Sequence, residues 1–381
     1  MSFVVAAPQR GSADYHAAVL ANHGHLRRYF VGTRKPTEGI PSALTSLNPL
    51  WGAAATLGAM AFPGYKGEWI RAGLHPLFDA WVTPQIKPGD HIISSYGYVN
   101  YAFKKVKKHG GVTLLDGGNS HPANFWEVVS EEHRIWGVKQ PPYPPHWNQR
   151  ARRMLEHTDY IICPSRYVEK SYLDRGFTAD RLLHAPFPTD LSLFQSDEDQ
   201  IPAADPLWVI CTGGVCLRKG FPYLLEAMRI IRKDRDARLM LTGSPDKVMG
   251  PIFERYSDIP VDWSPTLGHR DLAKRLRQAH VFALLSLEDG FARTVTEALA
   301  CGVPVVVTPN TGAMDFVVEG KNGYVVPIRD AQAAAEAIVK SLALRLAGRD
   351  RDLDLPDLSF EAFDATFISE LGRVGLLPSQ P

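Results

Sequence analysis

The chain has 381 residues, of which 45% are hydrophobic and 22% are charged, a composition typical of a globular protein. This length exceeds what one hydrophobic core usually supports, so we expect two domains. The 42 Lys and Arg residues balance the 41 Asp and Glu residues to a net charge of +1. This excludes the overall basic excess of many nucleic-acid-binding proteins, and we expect no nucleic-acid partner.

The first ten residues lack the charged and apolar regions of a signal peptide, and residues 3–7 instead predict a strand. The four cysteines are far apart, form no C-x-x-C motif and mostly lie in apolar runs. They are Cys163, Cys211, Cys216 and Cys301. The Asp-x-Asp strings that begin at Asp197 and Asp234 lie in a linker and in a charged turn, so we predict no metal site. We therefore expect a reduced, cytoplasmic protein without a cofactor.

Short apolar runs recur along the chain, each followed by a turn signal and then by helical spacing. This pattern is typical of parallel strands that helices bury on both faces. We therefore predict an α/β fold with a parallel sheet in each half. The predicted strands are 3–7, 26–31, 91–95, 112–115 and 160–163 in the first half, and 207–212, 238–242, 281–285, 303–307 and 324–326 in the second.

Two features of the first half favour peripheral association with the anionic inner face of a cytoplasmic membrane. Residues 47–62 form the most apolar stretch, which is interrupted by Pro49 and is too short to span a bilayer. A basic run lies on a predicted exposed helix. It consists of Lys104, Lys105, Lys107, Lys108 and His109. The alternative is that this run is only a solvated helix face.

Polar residues follow three predicted strands of the first half, at the carboxyl ends where open parallel sheets bind ligands. They are Arg10 and Gly11 after the first strand, Tyr96 after the third, and Asn119 and His121 after the fourth. We predict that these residues contact a substrate. The alternative for His121 is a structural role, which is more common for a lone histidine.

Residues 187–205, which are rich in Pro, Asp, Gln and Ser, form the predicted linker. We therefore place the two domains at 1–187 and 206–358. Residues 359–381 include a helical pattern at 360–371, which we expect to pack across both domains. Because open α/β sheets bind ligands at the carboxyl ends of their strands, we expect the substrates in the cleft between the domains.

A glycine-rich loop at 212–220 follows the first strand of the second half and precedes an amphipathic helix. Gly213 and Gly214 allow the backbone to approach a ligand closely. The adjacent cations Arg218 and Lys219 can neutralise a diphosphate. The alternative is a solvated turn with basic neighbours.

Residues 286–304 combine a strand end, a turn, a helix at 293–300 and the start of the next strand. The helix start presents backbone N–H groups and the positive end of the helix dipole, which form an anion site suited to a diphosphate. Asp289 lies at the turn and Glu297 lies inside the helix. The two carboxylates therefore lie at different depths of the cleft, where each can accept hydrogen bonds from a different set of hydroxyl groups. The alternative is that these carboxylates only cap or solvate the helix.

The segment 286–304 resembles the signature of the GT-B glycosyltransferases of family 4, which is Glu-Gly-Phe-Gly followed by Glu-Ala-x-Ala-x-Gly-x-Pro-Val. The matching residues are Asp289-Gly290-Phe291-Ala292 and Glu297-Ala298-Leu299-Ala300-Cys301-Gly302-Val303-Pro304-Val305. The chain departs from this pattern with Asp289 in place of Glu and Ala292 in place of Gly. In the glycine-rich loop, Lys219 matches the family pattern, whereas Gly214 stands where the family has Arg.

The resemblance implies a GT-B fold, in which two Rossmann-like domains with parallel sheets face one another across a cleft. It also implies a retaining, metal-independent hexosyltransferase that uses a nucleotide diphosphate sugar as donor. The acceptor would be a glycan or a lipid-linked saccharide, in the synthesis of cell-surface polysaccharide or glycolipid. The donor would lie in the carboxyl-terminal half and the acceptor in the amino-terminal half.

By the same resemblance, Asp289 binds donor-sugar hydroxyls, the amides of residues 290–293 face sugar and phosphate, and Glu297 accepts hydrogen bonds from the ribose. The predicted catalytic residues are His121, Arg218, Lys219 and Asp289. Arg218, Lys219 and Asp289 are also predicted to bind the donor. The other predicted donor-binding residues are Gly213, Gly214, His269, Glu288, Gly290, Phe291, Ala292, Arg293, Thr294 and Glu297. The predicted acceptor-binding residues are Arg10, Gly11, Tyr96, Asn119 and His121.

Two alternatives of different classes stay open. A GT-B nucleotide-sugar epimerase would share the fold. A non-catalytic nucleotide-sugar or carbohydrate-binding protein of this fold is favoured if Asp289 and Ala292 mean that activity has been lost.

Overall fold

The computed structural model of the protein describes residues 1–33, 37, 39–61, 65–197, 201–347 and 355–378. Several predictions lie partly outside these residues. They concern residues 34–36, 38 and 62–64 of the first predicted domain, the end of the apolar stretch at 62, linker residues 198–200, residues 348–354 of the second predicted domain, and the tail at 379–381.

The chain forms two compact units. The first unit comprises Met1–Ser130, Lys139–Pro188 and Glu361–Pro381, and the second comprises Glu131–Val138 and Thr189–Phe360. Each unit is built around its own parallel sheet.

The first unit contains a seven-stranded parallel sheet with the order β3-β2-β1-β4-β5-β6-β7. Its strands are β1 (Ser2–Ala7), β2 (Leu26–Val31), β3 (Thr45–Leu47), β4 (Asp90–Ser95), β5 (Thr113–Asp116), β6 (Tyr160–Cys163) and β7 (Leu182–His184). Its helices are α1 (Ser12–Asn22), α2 (Pro49–Ala61), α3 (Tyr65–Val82), α4 (Asn100–Lys108), α5 (Pro122–Ile135), α6 (Pro145–Leu155) and α7 (Arg166–Leu173). Helix α5 ends in the part of the chain that belongs to the second unit.

The second unit contains a six-stranded parallel sheet with the order β10-β9-β8-β11-β12-β13. Its strands are β8 (Leu207–Thr212), β9 (Ala237–Thr242), β10 (Val261–Ser264), β11 (Val281–Leu284), β12 (Val305–Val307) and β13 (Gly323–Val325). Its helices are α8 (Phe221–Ile231), α9 (Gly250–Arg255), α10 (His269–Arg277), α11 (Arg293–Ala300) and α12 (Ala331–Leu346).

The last helix, α13 (Phe360–Arg373), packs on the first unit. The Phe367 ring lies 4.8 Å from the ring of the buried His16 on α1, and Phe363 stacks on Phe367 at 5.8 Å. His23 Nε2 also lies 2.6 Å from an Asp364 carboxylate oxygen. The aromatic contacts bury an apolar face of the helix, which explains the helical spacing in this part of the sequence.

All ten predicted strands are confirmed, because their continuous apolar runs are buried on both faces of a sheet. The prediction missed β3, β7 and β10. Each is an edge strand of three or four residues. Strands β3 and β10 are not fully buried, so they carry no apolar run, and β7 is too short to show one.

In each sheet, the strand order reverses at one point. It lies between β1 and β4 in the first unit and between β8 and β11 in the second. Loops that leave the carboxyl ends of these strands diverge to opposite sides and leave a crevice, which is where open α/β sheets bind ligands. The topology therefore singles out the loops after β1 and β4, and those after β8 and β11.

Within the described part of the chain, no helix has both the length and the apolarity needed to span a membrane. The basic run of α4 does not consist only of solvated lysines. Lys105 Nζ donates to the carbonyls of Thr83 and Pro84, and Lys107 pairs with Asp159 at 2.5 Å. Both contacts lie near the amino ends of strands β4 and β6, at the opposite edge of the sheet from the loops that follow β1 and β4.

Candidate active site

Three loops of the second unit meet at the carboxyl edge of its sheet. They follow the neighbouring strands β8, β11 and β12. The N–H of Leu287 donates to the carbonyl of Arg218 at 2.8 Å, and the N–H of Asp289 donates to the carbonyl of Asn310 at 3.0 Å. The N–H of Gly312 in turn donates to the carbonyl of Asp289 at 2.9 Å. Residues that are far apart in sequence are thus fixed side by side.

The position of the two predicted cations depends on a neighbouring glycine that the local packing requires. Gly220 has a φ of +69°, and a Cβ on this residue would lie 1.8 Å from the carbonyl oxygen of Leu285. Only glycine allows the loop after β8 to lie so close to the end of β11. This approach places Lys219 and Arg218 against the loop that carries Glu288 and Asp289.

Each cation pairs with a carboxylate of the neighbouring loop. Lys219 Nζ contacts the Asp289 carboxylate. Arg218 Nη1 donates to the Glu288 carbonyl at 2.6 Å and lies 3.3 Å from Glu288 Oε2. The Glu288 side chain is fully buried, whereas about one fifth of the Arg218 side chain is exposed. Glu288 therefore positions Arg218, and the Arg218 side chain retains an accessible surface.

The Asp289 carboxylate is held in its ionised form. Burial by itself raises its pKa, but the charges of Lys219 and Arg218 and the hydrogen bond from Lys219 outweigh burial and keep the pKa below its ordinary value. The site therefore contains an anion, Asp289, that contacts Lys219 and lies within the electrostatic influence of Arg218. Such an arrangement can bind sugar hydroxyls at the carboxylate and phosphate oxygens at the cations.

Glu297 lies inside α11 and is buried, with 7% of the residue exposed. Within the described part of the chain, its Oε2 is buried and accepts no hydrogen bond. Burial raises the pKa of Glu297, and the nearby charges of His269 and Arg293 oppose that effect. Because buried polar atoms without partners are rare, this oxygen is suited to accept a hydrogen bond from a ligand hydroxyl.

The start of α11 is strained. Ala292 is its N-cap residue and has a left-handed backbone with φ 58° and ψ 60°, without a side-chain capping bond. A non-glycine residue in this region costs about 1–2 kcal/mol. This geometry explains why the family signature has Gly at the position that Ala292 occupies.

The other predicted donor-binding residues lie around this edge. Phe291 is buried, and its ring lies edge-to-face with Phe316 at 5.6 Å, so it anchors the loop. His269 is the exposed first residue of α10, and its ring lies 5.9 Å from Phe194. Arg293 is exposed and Thr294 is half-buried.

The glycines of the loop after β8 differ from Gly220. Gly213 and Gly214 are exposed, and a Cβ on either would meet nothing within 4 Å. Gly213 has a φ of +111°, whereas Gly214 lies outside the left-handed region. The backbone therefore does not require glycine at 214, and the absence of a side chain there leaves open space.

In the first unit, the carboxyl edge is organised by Asp116, which the sequence analysis did not single out. Ser12 Oγ donates to Asp116 Oδ2 at 2.5 Å, and Ser95 Oγ donates to the same oxygen at 2.8 Å. His16 Nε2 lies 3.6 Å from Asp116 Oδ1. The available signal was an Asp at the end of one strand, with small hydroxyl residues after β1 and at the end of β4.

His121 acts as a cap for α5. Its Nδ1 accepts a hydrogen bond from the N–H of Ala123 at 3.1 Å, and its own N–H donates to Ser171 Oγ at 2.8 Å. Burial lowers the pKa of His121 to about 4, with further lowering by Arg175 and Arg152. The ring is therefore neutral near pH 7. Because Nδ1 accepts, the neutral ring carries its proton on Nε2 and can act as a hydrogen-bond donor.

The other predicted acceptor-binding residues divide into two groups. Tyr96 is buried, and its hydroxyl contacts the Asn119 carbonyl at 2.6 Å and the Tyr172 hydroxyl at 2.7 Å, so it supports the loop that carries the half-buried Asn119. Arg10 and Gly11 are exposed in the loop after β1.

Within the described residues, no group of three or more His, Cys, Asp or Glu side chains is arranged to hold a metal ion. The charged groups at the carboxyl edge of the second sheet are instead paired with one another, as Lys219 with Asp289 and Arg218 with Glu288.

Residues 206–343 match the protein family described as glycosyl transferases group 1. Among curated proteins, the chain is 27% identical over 234 residues to the GDP-mannose-dependent alpha-(1-6)-phosphatidylinositol monomannoside mannosyltransferase of Mycolicibacterium smegmatis, covering 53% of this chain and 60% of that protein. It is 43% identical over 131 residues to the capsular polysaccharide biosynthesis glycosyltransferase CapM of Staphylococcus aureus, covering 34% of each. The chain spans between half and two thirds of the length of several such relatives.

Solved structures extend the similarity to the whole chain. The sucrose-phosphate synthase of Thermosynechococcus elongatus superimposes with a TM-score of 0.64 at 19% identity, over 97% of this chain and 98% of that one. The lipopolysaccharide outer core galactosyltransferase WaaB gives a TM-score of 0.63 at 14% identity, over 97% and 99%. These likenesses confirm the predicted GT-B fold, and the match at 206–343 confirms the predicted resemblance of the second half of the chain to the group 1 glycosyl transferases.

Proposed function

We propose that the protein is a retaining, metal-independent glycosyltransferase that transfers a hexose from a nucleotide diphosphate sugar to a glycan or lipid-linked acceptor. The observation that carries this proposal is the buried Oε2 of Glu297, which has no hydrogen-bond partner among the described residues and lies on the helix that follows the loop of Glu288 and Asp289. An acceptor without a partner, in the same strand-to-helix segment as two carboxylates that hold two cations, fits a ligand that has both hydroxyl and phosphate groups.

The donor would use this edge in three parts. Glu297 accepts hydrogen bonds from the ribose hydroxyls. Lys219 and Arg218 neutralise the diphosphate, with the backbone amides at the start of α11 directed at the same group. Asp289 accepts hydrogen bonds from the hexose. Because Asp is one methylene shorter than the family's Glu, its pairing with Lys219 sets how closely a sugar hydroxyl must approach.

The chemistry would depend on stabilising the leaving group. The bond between the anomeric carbon and the phosphate oxygen breaks, and its electron pair goes to the departing diphosphate. The acceptor hydroxyl forms the new bond on the same face and loses its proton to the departing phosphate oxygen. Lys219 and Arg218 are held in place before the reaction by Asp289 and Glu288, so they stabilise the developing charge without reorganisation. No step of this route needs a metal ion.

The acceptor would be bound by the first unit, through the loops around Arg10, Asn119 and His121. The relatives named above act in glycolipid and capsular polysaccharide synthesis, which supports a role in cell-surface polysaccharide or glycolipid synthesis. We place such a reaction at the inner face of the cytoplasmic membrane, with peripheral association through the apolar helix α2.

A thermal-shift screen with UDP, GDP, ADP and TDP and their sugars tests the donor site, because a ligand that binds the folded state raises its melting temperature. We expect one nucleotide to raise the melting temperature, and Glu297→Ala to abolish that rise. The matched control Glu336→Ala changes an exposed carboxylate on α12 and should leave it intact.

A transfer or donor-hydrolysis assay then separates an enzyme from a non-catalytic binding protein. We expect turnover of the sugar donor that selects the same nucleotide, with loss of turnover in Lys219→Met. Binding without turnover under all acceptors tested would favour the non-catalytic alternative, and interconversion of the free nucleotide sugar would favour an epimerase.

A further inference from the structure

The second unit includes a short segment, Glu131–Val138, that lies far from the rest of the unit in sequence. It contains the last turn of α5 and the residues that follow this helix. Within it, the Glu132 side chain is fully buried. A buried carboxylate is costly unless it is paired and hydrogen-bonded, so the partners of Glu132 indicate why the segment is held in this unit.

Both oxygens of the Glu132 carboxylate accept hydrogen bonds. Oε1 accepts one from the indole N–H of Trp136, in the same segment, at 2.7 Å. Oε2 accepts one from the hydroxyl of Tyr223 at 3.2 Å and one from Nε of Arg329 at 2.9 Å. Arg329 Nη2 also lies 3.1 Å from a carboxylate oxygen of Glu131. A single oxygen of Glu132 therefore joins two residues that are far apart in sequence.

Tyr223 and Arg329 lie at the starts of two helices. Tyr223 is in the first turn of α8, which follows β8, and its N–H donates to the carbonyl of Gly220 at 3.0 Å. Arg329 directly precedes Asp330, the N-cap residue of α12, which follows β13. Helices that follow parallel strands begin at the carboxyl edge of the sheet. Glu132 therefore joins two points of the edge that carries the proposed donor site.

Tyr223 connects the Glu132 carboxylate to the loop of the proposed diphosphate cations. Lys219 ends this loop, and the next residue, Gly220, is the N-cap residue of α8. The close approach of Gly220 to Leu285 fixes one side of this junction, and the start of α8, which Glu132 holds through Tyr223, fixes the other. Burial and the charge of Glu132 raise the pKa of Tyr223 to about 12, so its hydroxyl stays protonated near neutral pH and donates.

Arg329 has a strained backbone. Its φ is +62°, in the left-handed region, although it is not a glycine. This conformation costs free energy for any residue that has a Cβ. Such strain persists only where surrounding contacts compensate for it, and it occurs most often at functional sites. Here the compensating contacts are those with the carboxylates of Glu131 and Glu132.

We propose that Glu132 is a positioning residue of the donor site, which holds the start of α8 through Tyr223 and thereby keeps Lys219 in place for the departing diphosphate. Arg329 balances the buried charge of Glu132 and connects the same oxygen to the start of α12. Because its side chain is fully buried, Glu132 acts on the reaction only through Lys219. This inference rests on the proposed function, because it names a residue that supports the leaving-group site.

Tyr223→Phe tests the proposal with little disturbance, because it removes one hydroxyl and keeps the ring. We expect kcat for sugar transfer to fall about tenfold and KM for the donor to change by less than about twofold, since a displaced Lys219 stabilises the transition state less well. Glu132→Gln should act in the same way, because an amide nitrogen replaces one accepting oxygen. The control Tyr256→Phe removes the hydroxyl of another tyrosine of the second unit and should change neither constant. An unchanged kcat in Tyr223→Phe overturns the proposal.

A double-variant comparison separates positioning from a purely structural role. If the Tyr223 hydroxyl acts through Lys219, Tyr223→Phe should have no further effect on kcat in a chain that already carries Lys219→Met. The same loss of kcat in both backgrounds overturns the proposal. Rates are measured well below the melting temperature of each variant, so that unfolded protein does not contribute. If Tyr223→Phe does not fold, Glu132→Gln takes its place in the same comparison.

The rates of the original chain and of Lys219→Met keep this test distinct from the test of the proposed function. A kcat that falls in Lys219→Met but not in Tyr223→Phe or Glu132→Gln overturns the positioning role alone. The absence of turnover in the original chain with every nucleotide sugar overturns the proposed function, and the positioning role with it.

Discussion

The carboxyl edges of the two sheets carry buried carboxylates in different surroundings. In the first unit, Asp116 receives two hydroxyl hydrogen bonds and faces the buried His16. In the second unit, Asp289 pairs with Lys219, while Glu297 keeps a buried oxygen without a partner within the described residues. Oδ2 of Asp116 joins the start of α1 to the end of β4 through two hydroxyls, whereas Oδ1 of Asp116, like Oε2 of Glu297, accepts no hydrogen bond from the described residues. The two edges differ because the Asp116 carboxylate is bound by hydroxyls of its own unit, so one edge contributes to the stability of the fold, and the other leaves Glu297 available to a ligand.

The largest effect that would sharpen this contrast is expected at Lys219. Lys219→Met keeps the length of the side chain but removes the charge at the predicted diphosphate, so we expect transfer to fall about 10²- to 10³-fold. Initial rates at saturating donor measure it. Lys274→Met removes an exposed lysine of the same unit and should have no effect. Equal rates for the two variants would contradict a catalytic role for Lys219.

Asp116 tests the comparison in the first unit. Asp116→Ala leaves the half-buried hydroxyls of Ser12 and Ser95 without their acceptor, and we expect the free energy of unfolding to fall by about 2–3 kcal/mol. Urea unfolding measures this change. Burial raises the pKa of Asp116, but the interactions with His16, Ser12 and Ser95 hold it below its ordinary value. Its stabilisation is therefore present above the ordinary pKa and is lost as the pH falls through the lower, folded-state pKa. A variant as stable as the original chain would show that the hydrogen bonds of Asp116 do not stabilise this edge.

Arg218 tests whether the cation of the family pattern has moved along the loop. Arg218→Gln should lower transfer about 10- to 100-fold, because a positioned charge on the diphosphate is lost. Adding Gly214→Arg should restore part of the rate, since the backbone at 214 does not require glycine and has open space around it. Rates of the single and double variants decide this, and a double variant no faster than Arg218→Gln would contradict the exchange of positions.

We expect substitution of Glu297 to have a smaller effect than the substitutions of Lys219 and Arg218. We also expect it to raise the stability of the protein, whereas substitution of Asp116 lowers it. Glu297→Gln should weaken nucleotide binding about tenfold, because a neutral amide replaces a charged acceptor. The pKa of Glu297 is raised by burial, so the folded state loses stability as the pH rises from the ordinary pKa to the raised one. The variant removes that loss and should gain stability relative to the original chain between pH 4 and pH 8.

Calorimetry and urea unfolding across this pH range measure both effects in the same samples. Glu336→Gln, on the exposed face of α12, serves as the control for each. A variant that is less stable at pH 8 would show that Glu297 has a structural partner, and the contrast with Asp116 would not hold.

The smallest effect is expected at Ala292. Ala292→Gly relieves the left-handed strain at the start of α11 and should raise the free energy of unfolding by about 1 kcal/mol. Ala298→Gly, inside the same helix, should lower it by about 1 kcal/mol or more. Thermal unfolding of both variants measures these changes, and a loss at both positions would mean that the strain at 292 is absent in solution.

The local parts of the site were accessible to prediction. The helix Arg293–Ala300 begins and ends where the sequence indicates, and Glu297 lies inside it as expected. The glycine-rich loop also follows β8 as predicted. Each of these features depends on residues that are neighbours in the chain, so propensity and spacing are enough to indicate them.

Other features were not accessible because they depend on contacts through space. The pairing of Arg218 with Glu288 spans 70 residues, and the hydrogen bond from Ser12 to Asp116 spans 104. Tyr96 was predicted to contact the acceptor, but its hydroxyl donates to the carbonyl of Asn119, so it supports that loop. Three short edge strands carry too few residues for a pattern to indicate them.

The sequence by itself determined the alternation of strands and helices, the family signature and the residues that carry charge at the proposed donor site. These follow from composition and from spacing along the chain. Only the tertiary structure decided that Glu297 keeps an oxygen without a partner among the described residues, and that Asp116 joins α1 to β4 in the first unit. Whether a buried polar group is satisfied depends on what distant segments place beside it, and that information appears only when the strands are arranged in a sheet.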